Sequence, residues 1–78
     1  MTRKLHEIAS DIAVNWRNVN YAARPYLDAM RSLSSINDDY YSDSARSVVL
    51  YFLSNAASWR GEAARAIKAE LNAMLKNR

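Results

Sequence analysis

The chain has 78 residues, of which 50% are hydrophobic and 24% are charged, and its formal net charge at pH 7 is +3. This balance is that of an ordinary folded domain and excludes a disordered tail, while the length leaves room for one domain with one hydrophobic core. The absence of cysteine excludes disulfide bonds and thiolate metal sites.

Charged residues interrupt the apolar sequence near the N-terminus, where Arg3, Lys4 and Glu7 surround Leu5. No apolar run there reaches the ~7–15 residues of a signal-peptide core or the ~20 residues of a membrane span. We therefore expect neither secretion through a signal peptide nor a membrane anchor. Because a small domain without disulfide bonds fits a reducing compartment, the predicted location is the cytoplasm.

The first predicted helix covers residues 3–16, with Thr2 as its N-cap. Its apolar residues recur at helical spacing and define one buried stripe, formed by Leu5, Ile8, Ala9, Ile12, Ala13 and Trp16. Three asparagines follow between positions 15 and 20. Because asparagine competes for backbone hydrogen bonds, we expect the helix to end there.

A second helix is predicted over residues 21–33. The apolar residues on one of its faces are Tyr26, Leu27, Met30 and Leu33. Pro25 has no N–H and is tolerated only in the opening turn of a helix, so the helix either begins at Pro25 or bends there. We expect a start near Tyr21 or Ala22.

Residues 34–43 form the clearest predicted loop, since serine, asparagine and aspartate dominate them, and Ile36 is expected to anchor this loop to the core. A third helix is predicted over residues 44–57, with Ser42 or Asp43 as its cap. It is the most apolar of the helices, and its residues at helical spacing are Ala45, Val48, Val49, Phe52, Leu53 and Ala56.

The last predicted helix covers residues 59–76, with Ser58 as its N-cap and Gly61 in its first turn. Its inner stripe consists of Ala64, Ile67, Leu71, Met74 and Leu75. Because the apolar residues recur at helical rather than alternating spacing, the predicted class is all-α. We expect residues 1–78 to form a single domain, a compact bundle of about four short helices.

Two Trp-Arg pairs, Trp16-Arg17 and Trp59-Arg60, each lie at a predicted helix boundary. An aromatic ring beside a guanidinium can stack a base while the guanidinium holds a phosphate, and the start of the last helix offers free backbone N–H groups to an anion. Arg65 and Lys68 lie on a basic face of that helix and are added to this set. The candidate ligand-binding residues are therefore Trp16, Arg17, Arg24, Tyr26, Trp59, Arg60, Arg65 and Lys68. The alternative is that both tryptophans are core anchors and the basic residues merely a solvated surface.

The predicted loop contains four residues that suit docking on a basic protein partner: Asp38, Asp39, Tyr40 and Tyr41. Asp43 follows closely, but the glycine and the terminal glutamate of a calcium-binding loop are both missing. Loop solvation and helix capping therefore explain these aspartates better than a metal site does.

A reaction centre needs a nucleophile with a base, paired acids or a metal cluster. The chain offers one histidine, His6, on the polar side of the first predicted helix, and no cysteine. We therefore expect a non-enzymatic protein with no catalytic residues, no metal and no cofactor.

Two segments of the chain carry a resemblance to a known group of proteins. Residues 16–30 (WRNVNYAARPYLDAM) and 51–62 (YFLSNAASWRGE) resemble small helical proteins of tailed bacteriophages and prophages, and the similarity covers nearly the whole chain. Because no activity is established for that group, it supplies no functional residue. The resemblance implies an accessory protein made inside a bacterial host, where small phage proteins inhibit immune complexes or sequester nucleotide signals.

Together these features predict a non-enzymatic phage accessory protein that binds an anionic ligand, most concretely a nucleotide immune signal that it sequesters. One alternative is an inhibitor or adaptor of a host protein complex that uses the acidic loop. Another is a small DNA-binding regulator, with the last helix as the better recognition element because the third turns apolar directly after Arg46 and Ser47. Since so short a chain builds pockets most readily between subunits, we also expect a homo-oligomer.

Overall fold

Four α-helices and one short hairpin make up the fold of the computed structural model, which describes residues 3–40 and 43–76. The helices are α1 (Leu5–Asn15), α2 (Arg24–Met30), α3 (Ala45–Ser54) and α4 (Glu62–Lys76). Two-residue strands, β1 (Asp39–Tyr40) and β2 (Asp43–Ser44), pair antiparallel between α2 and α3. The predicted all-α class and the small bundle of four short helices are confirmed.

One hydrophobic core is formed mainly by the stripes that the apolar spacing predicted, although Ala13, Tyr26, Leu53 and Leu75 of those stripes are only partly buried. Its buried side chains include Leu5, Ile8, Ala9 and Ile12 of α1, Ala45, Val48, Val49 and Phe52 of α3, and Ala64, Ile67, Leu71 and Met74 of α4. The helix α3 packs against α2, α4 and β2, and its Phe52 is completely buried. From the predicted loop, Ile36 packs against the core as expected.

The start of α1 is held by a distant segment and by Glu7, whose carboxylate accepts the backbone N–H of Lys4 at 2.9 Å. The backbone N–H of Leu5 donates to the carbonyl of Ser34 at 3.0 Å, and that of His6 donates to the carbonyl of Leu33 at 2.9 Å. These bonds satisfy two of the amides that a helix leaves without partners at its first turn. The predicted start at residue 3 was therefore two residues early, and the expected cap, Thr2, lies outside the described residues.

The helix α2 is shorter than the predicted range 21–33 at both ends. Before it, the side-chain oxygen of Asn20 accepts the N–H of Ala22 at 3.0 Å, and the Asn20 carbonyl accepts the N–H of Arg24 at 3.1 Å. This asparagine therefore builds a turn in front of the helix, so the expected start near Tyr21 was wrong. Pro25 lies in the opening turn, where its missing N–H leaves no helical hydrogen bond unmade.

The N-cap of α3 is Ser44, whose Oγ accepts the backbone N–H of Ser47 at 3.1 Å. Of the two predicted caps, Asp43 belongs to β2, and Ser42 lies outside the described residues. The hairpin thus places the helix start one residue beyond the predicted 44–57.

The end of α3 also differs from the prediction, since the helix stops at Ser54 and not at residue 57. The side-chain amide of Asn55 donates to the carbonyl of Tyr51 at 2.8 Å, and the amide of Asn20 donates to the carbonyl of Asn55 at 3.3 Å. These contacts tie the end of α3 to the segment between α1 and α2.

The helix α4 begins at Glu62 and not at the predicted residue 59. Gly61 has a φ of +114°, which no helical residue adopts and which glycine tolerates best. Its carbonyl accepts the N–H of Arg65 at 3.0 Å, so Gly61 itself precedes the first turn. Ser58 is therefore not the cap, and Trp59 lies outside the helix.

Arg3 joins α1 to α4 through two carboxylates. Its guanidinium donates to Glu70 at 2.7 Å and 3.1 Å and to Asp11 at 2.8 Å. Hydrogen bonds to Glu70 and then Asp11 raise the pKa of Arg3 further above its already high ordinary value. The three side chains are 29–45% exposed, so each pair contributes at most about 1 kcal/mol.

Candidate functional site

A concave pocket of about 290 Å³ lies beside the last turn of α1 and one face of α2. It is lined by Ala13, Trp16, Arg17, Val19, Arg24, Leu27, Asp28 and Arg31. This volume is close to the lower end of the roughly 300–1,000 Å³ of small-molecule sites. The pocket therefore matches a ligand of the size of a single nucleotide or smaller.

The apolar part of the pocket includes Trp16, whose position is fixed by the core. Its backbone N–H donates to the carbonyl of Ile12 at 2.7 Å, which closes the last turn of α1. Its indole stacks on that of Trp59, with ring centroids 5.3 Å apart and planes only 5° apart, and it meets Phe52 edge-on at 6.1 Å. Trp16 is only 8% exposed and Leu27 only 4% exposed, so both side chains belong to the core as well as to the wall of the pocket.

Three arginines supply the polar part of the pocket. Arg24 and Arg31 lie seven residues apart with Asp28 between them, so the helical repeat places all three on one face of α2. Arg17 reaches the same pocket from the segment after α1. The side chains of the three arginines and of Asp28 are exposed. Within residues 3–40 and 43–76, none of these four side chains makes a hydrogen bond or an ion pair.

Arg17, Arg24 and Arg31 differ from the exposed Arg60 and Arg65 in that they line one concave surface together. Arg3, by contrast, is committed to two carboxylates of the protein. Three arginines and one aspartate leave the pocket with a net charge of two positive units. Guanidinium groups bind carboxylate or phosphate through paired hydrogen bonds, so the arrangement is suited to an anion.

The structure brings three of the predicted ligand-binding residues into this pocket, namely Trp16, Arg17 and Arg24. Tyr26 lies on another face of α2 and pairs with Tyr51 of α3, at 5.5 Å between ring centroids.

Trp59 and Lys68 are placed where the core uses them. Trp59 is 4% exposed and stacks behind Trp16, so its ring is a core anchor, as the alternative interpretation proposed. The Nζ of Lys68 donates to the Trp59 carbonyl at 2.6 Å and lies 5.9 Å from the ring centroid. The predicted basic face of α4 therefore offers one fewer free cation, because Lys68 is bonded to the Trp59 carbonyl.

Arg60 and Arg65 are exposed but do not line the pocket. The free backbone N–H groups predicted to bind an anion at Trp59 and Arg60 are not there, because the last helix starts later in the chain. That helix begins at Glu62, whose carboxylate already supplies negative charge to its first turn.

Sequence reasoning missed Asp28 and Arg31 as pocket residues. Their signal was the spacing of charged residues at positions 24, 28 and 31, which share one helical face.

The acidic loop proposed for protein docking has a partly structural role. The carboxylate of Asp38 accepts the backbone N–H groups of Ser35 at 3.0 Å and Ser34 at 2.9 Å, and these bonds lower the pKa of Asp38. Asp39 is exposed. Tyr40 pairs through β1 with β2, and Tyr41 lies outside the described residues.

Among the described residues, no group of three or more histidine, cysteine, aspartate or glutamate side chains could hold a metal ion. Within the same part of the chain, no helix has the length and apolar character needed to cross a membrane. Comparisons with protein-family models, curated proteins and solved structures found no match to this chain.

Proposed function

We propose that this protein is a non-enzymatic binding protein whose arginine pocket takes a small anionic ligand, with a nucleotide as the most concrete case. The observation that carries the proposal is the group of three unpaired arginines, Arg17, Arg24 and Arg31, around an apolar surface. Positive charge left without protein partners beside a concave surface is typical of a site completed by its ligand.

The apolar lining supports a ligand with a ring and not a bare inorganic ion. Val19, Leu27 and the edge of Trp16 offer nonpolar contact beside the guanidinium groups. A nucleotide combines a phosphate with a flat base and so matches both parts of the surface. The resemblance to phage proteins suggests sequestration of a nucleotide signal in a bacterial host as the biological role.

The decisive experiment is a thermal-shift and calorimetric titration of the pure protein with nucleotides. A ligand that binds only the folded chain stabilises it by about 2.7 kcal/mol at a hundred times its Kd, which raises Tm measurably. We expect Arg24→Gln and Arg31→Gln each to weaken binding by about tenfold or more. A hydrogen bond to a charged group contributes about 1.5–3 kcal/mol, and a tenfold change corresponds to about 1.4 kcal/mol.

Arg65→Gln is the matched control, because Arg65 is an exposed arginine on α4 that does not line the pocket. All three variants should keep the wild-type Tm without ligand, since exposed substitutions of this kind usually change stability by less than about 0.5 kcal/mol. Equal loss of affinity in the Arg65 variant, or no binding of any nucleotide by the wild-type protein, would refute the proposal.

The expected homo-oligomer and the host-protein partner stay predictions. Native mass spectrometry of protein isolated from bacterial cells measures both the subunit number and any retained ligand. A retained mass of nucleotide size supports the arginine pocket. Recovery of a host protein that depends on Asp39 would favour the protein-binding alternative, because Asp39 is exposed while Asp38 is engaged by the backbone.

A further inference from the structure

Asp28 is the acidic side chain among those that line the arginine pocket, and its position is unusual for a site that takes an anion. It lies four residues after Arg24 and three before Arg31, at the two spacings that favour ion pairs on a helix. Within residues 3–40 and 43–76, however, neither arginine pairs with it. The carboxylate is therefore available to a ligand.

An ionised carboxylate only accepts hydrogen bonds, so Asp28 repels a phosphate and attracts a hydroxyl or amino donor. The guanidinium groups around it only donate hydrogen bonds and attract the phosphate. The pocket thus places a hydrogen-bond acceptor of negative charge next to hydrogen-bond donors of positive charge. A ligand meets both when it carries an anionic group and a hydrogen-bond donor a short distance apart.

The net charge of the pocket specifies the anionic group further. Its two positive units match a phosphomonoester, which carries about −1.5 to −2 charges near pH 7. A phosphodiester carries a single charge and leaves part of the pocket charge uncompensated, while a triphosphate brings excess charge against Asp28. The apolar surface at Val19 and Leu27 remains for the nonpolar part of the ligand.

We propose that the pocket selects a phosphomonoester with a neighbouring hydroxyl, as in a nucleoside 5′-monophosphate, and that Asp28 is the selecting residue through its bond to the sugar hydroxyl. This inference rests on the proposed function and names the ligand class of the same site. The arginines bind the phosphate, the sugar hydroxyl donates a hydrogen bond to the Asp28 carboxylate, and the base lies against the apolar lining.

Calorimetric titration with four probes tests the inference. They are adenosine 5′-monophosphate, its 2′,3′-dideoxy analogue, ribose 5-phosphate and inorganic phosphate. We expect the dideoxy analogue to bind about tenfold more weakly than adenosine monophosphate, because it lacks the hydroxyls that donate a hydrogen bond to the Asp28 carboxylate. If ribose 5-phosphate binds as tightly as adenosine monophosphate, the pocket recognises the sugar phosphate alone. If ribose 5-phosphate binds more weakly, the base also contributes to binding.

Asp28→Asn gives the sharper result, because the inference predicts opposite effects on two ligands. Adenosine monophosphate binding should weaken severalfold as the charged acceptor is lost. Inorganic phosphate binding should strengthen severalfold as the like charge is removed. A purely structural role of Asp28 would move both affinities in the same direction, and Asp39→Asn, which changes an exposed aspartate outside the pocket, should move neither.

Failure of this inference is distinguishable from failure of the proposed function. If the Arg24 and Arg31 variants lose affinity but the dideoxy analogue binds as tightly as adenosine monophosphate, the pocket binds anions and the role of Asp28 is overturned. If none of the four probes binds the wild-type protein, both the ligand class and the anion pocket are refuted.

Discussion

Trp16 lines the pocket and stacks on the ring of Trp59. Replacing Trp59 by alanine removes this supporting ring. Trp59 is only 4% exposed, and the two indole planes lie within 5° of parallel. Truncating a buried tryptophan to alanine costs about 3–5 kcal/mol. A chain of this size has a net stability of roughly 3–5 kcal/mol, so we expect Trp59→Ala to be largely unfolded at room temperature.

The assay is urea unfolding followed by far-UV circular dichroism. Trp59→Phe keeps an aromatic ring and should lose about 1–2 kcal/mol, which lowers Tm by roughly 4–8 °C for each kcal/mol in a domain of this size. This variant leaves Trp16 as the single tryptophan, so its fluorescence reports directly on the pocket.

Arg60→Ala is the matched control for the tryptophan variants, because Arg60 is the exposed neighbour of Trp59 and should change stability by less than about 0.5 kcal/mol. A Trp59→Ala variant that unfolds at the wild-type urea midpoint would contradict the argument. In that case the stacked pair would carry none of the stability assigned to it.

Two further predictions concern residues outside the pocket. Gly61→Ala should lower stability by about 1–2 kcal/mol in thermal unfolding, because alanine tolerates a φ of +114° poorly. An added Cβ meets no atom within 4 Å, so a steric clash would not contribute to this loss. An unchanged Tm would refute the expected backbone strain. The lowered pKa of Asp38 stabilises the fold above the ordinary pKa of aspartate, and this stabilisation is lost as pH falls through the lowered value. Asp38→Asn should therefore shift the urea midpoint near neutral pH more than in strong acid, with Asp39→Asn as control, and an equal shift at both pH values would count against the carboxylate's role.

The helical stripes were predictable because they depend on local spacing. Leu5, Ile8 and Ile12, for example, recur at the period of one helical face, and each is completely buried. The helix boundaries were less predictable, because several residues near each end could act as the cap. Before α2, Asn20 instead builds a turn, in which its side-chain oxygen accepts the N–H of Ala22 while its side-chain amide donates to Asn55 at the end of α3.

The two Trp-Arg pairs illustrate what the sequence leaves open about the candidate site. Trp16 and Trp59 each precede an arginine near a predicted helix boundary, and from the sequence either could stack a ligand or pack in the core. In the fold they stack on each other, and only Trp16 also lines the pocket. Consequently Arg17 lines the pocket and Arg60 does not, although each follows a tryptophan.

The sequence by itself determined the all-α class, the number of helices and most of the residues that each helix buries, because helical periodicity is a property of neighbouring residues along the chain. Only the tertiary structure decided where α2 begins, which tryptophan lines the pocket, and that Arg17 joins Arg24, Asp28 and Arg31 around that pocket. A pocket arises where separate segments pack side by side, and the distances between them follow from the complete core and not from any single segment.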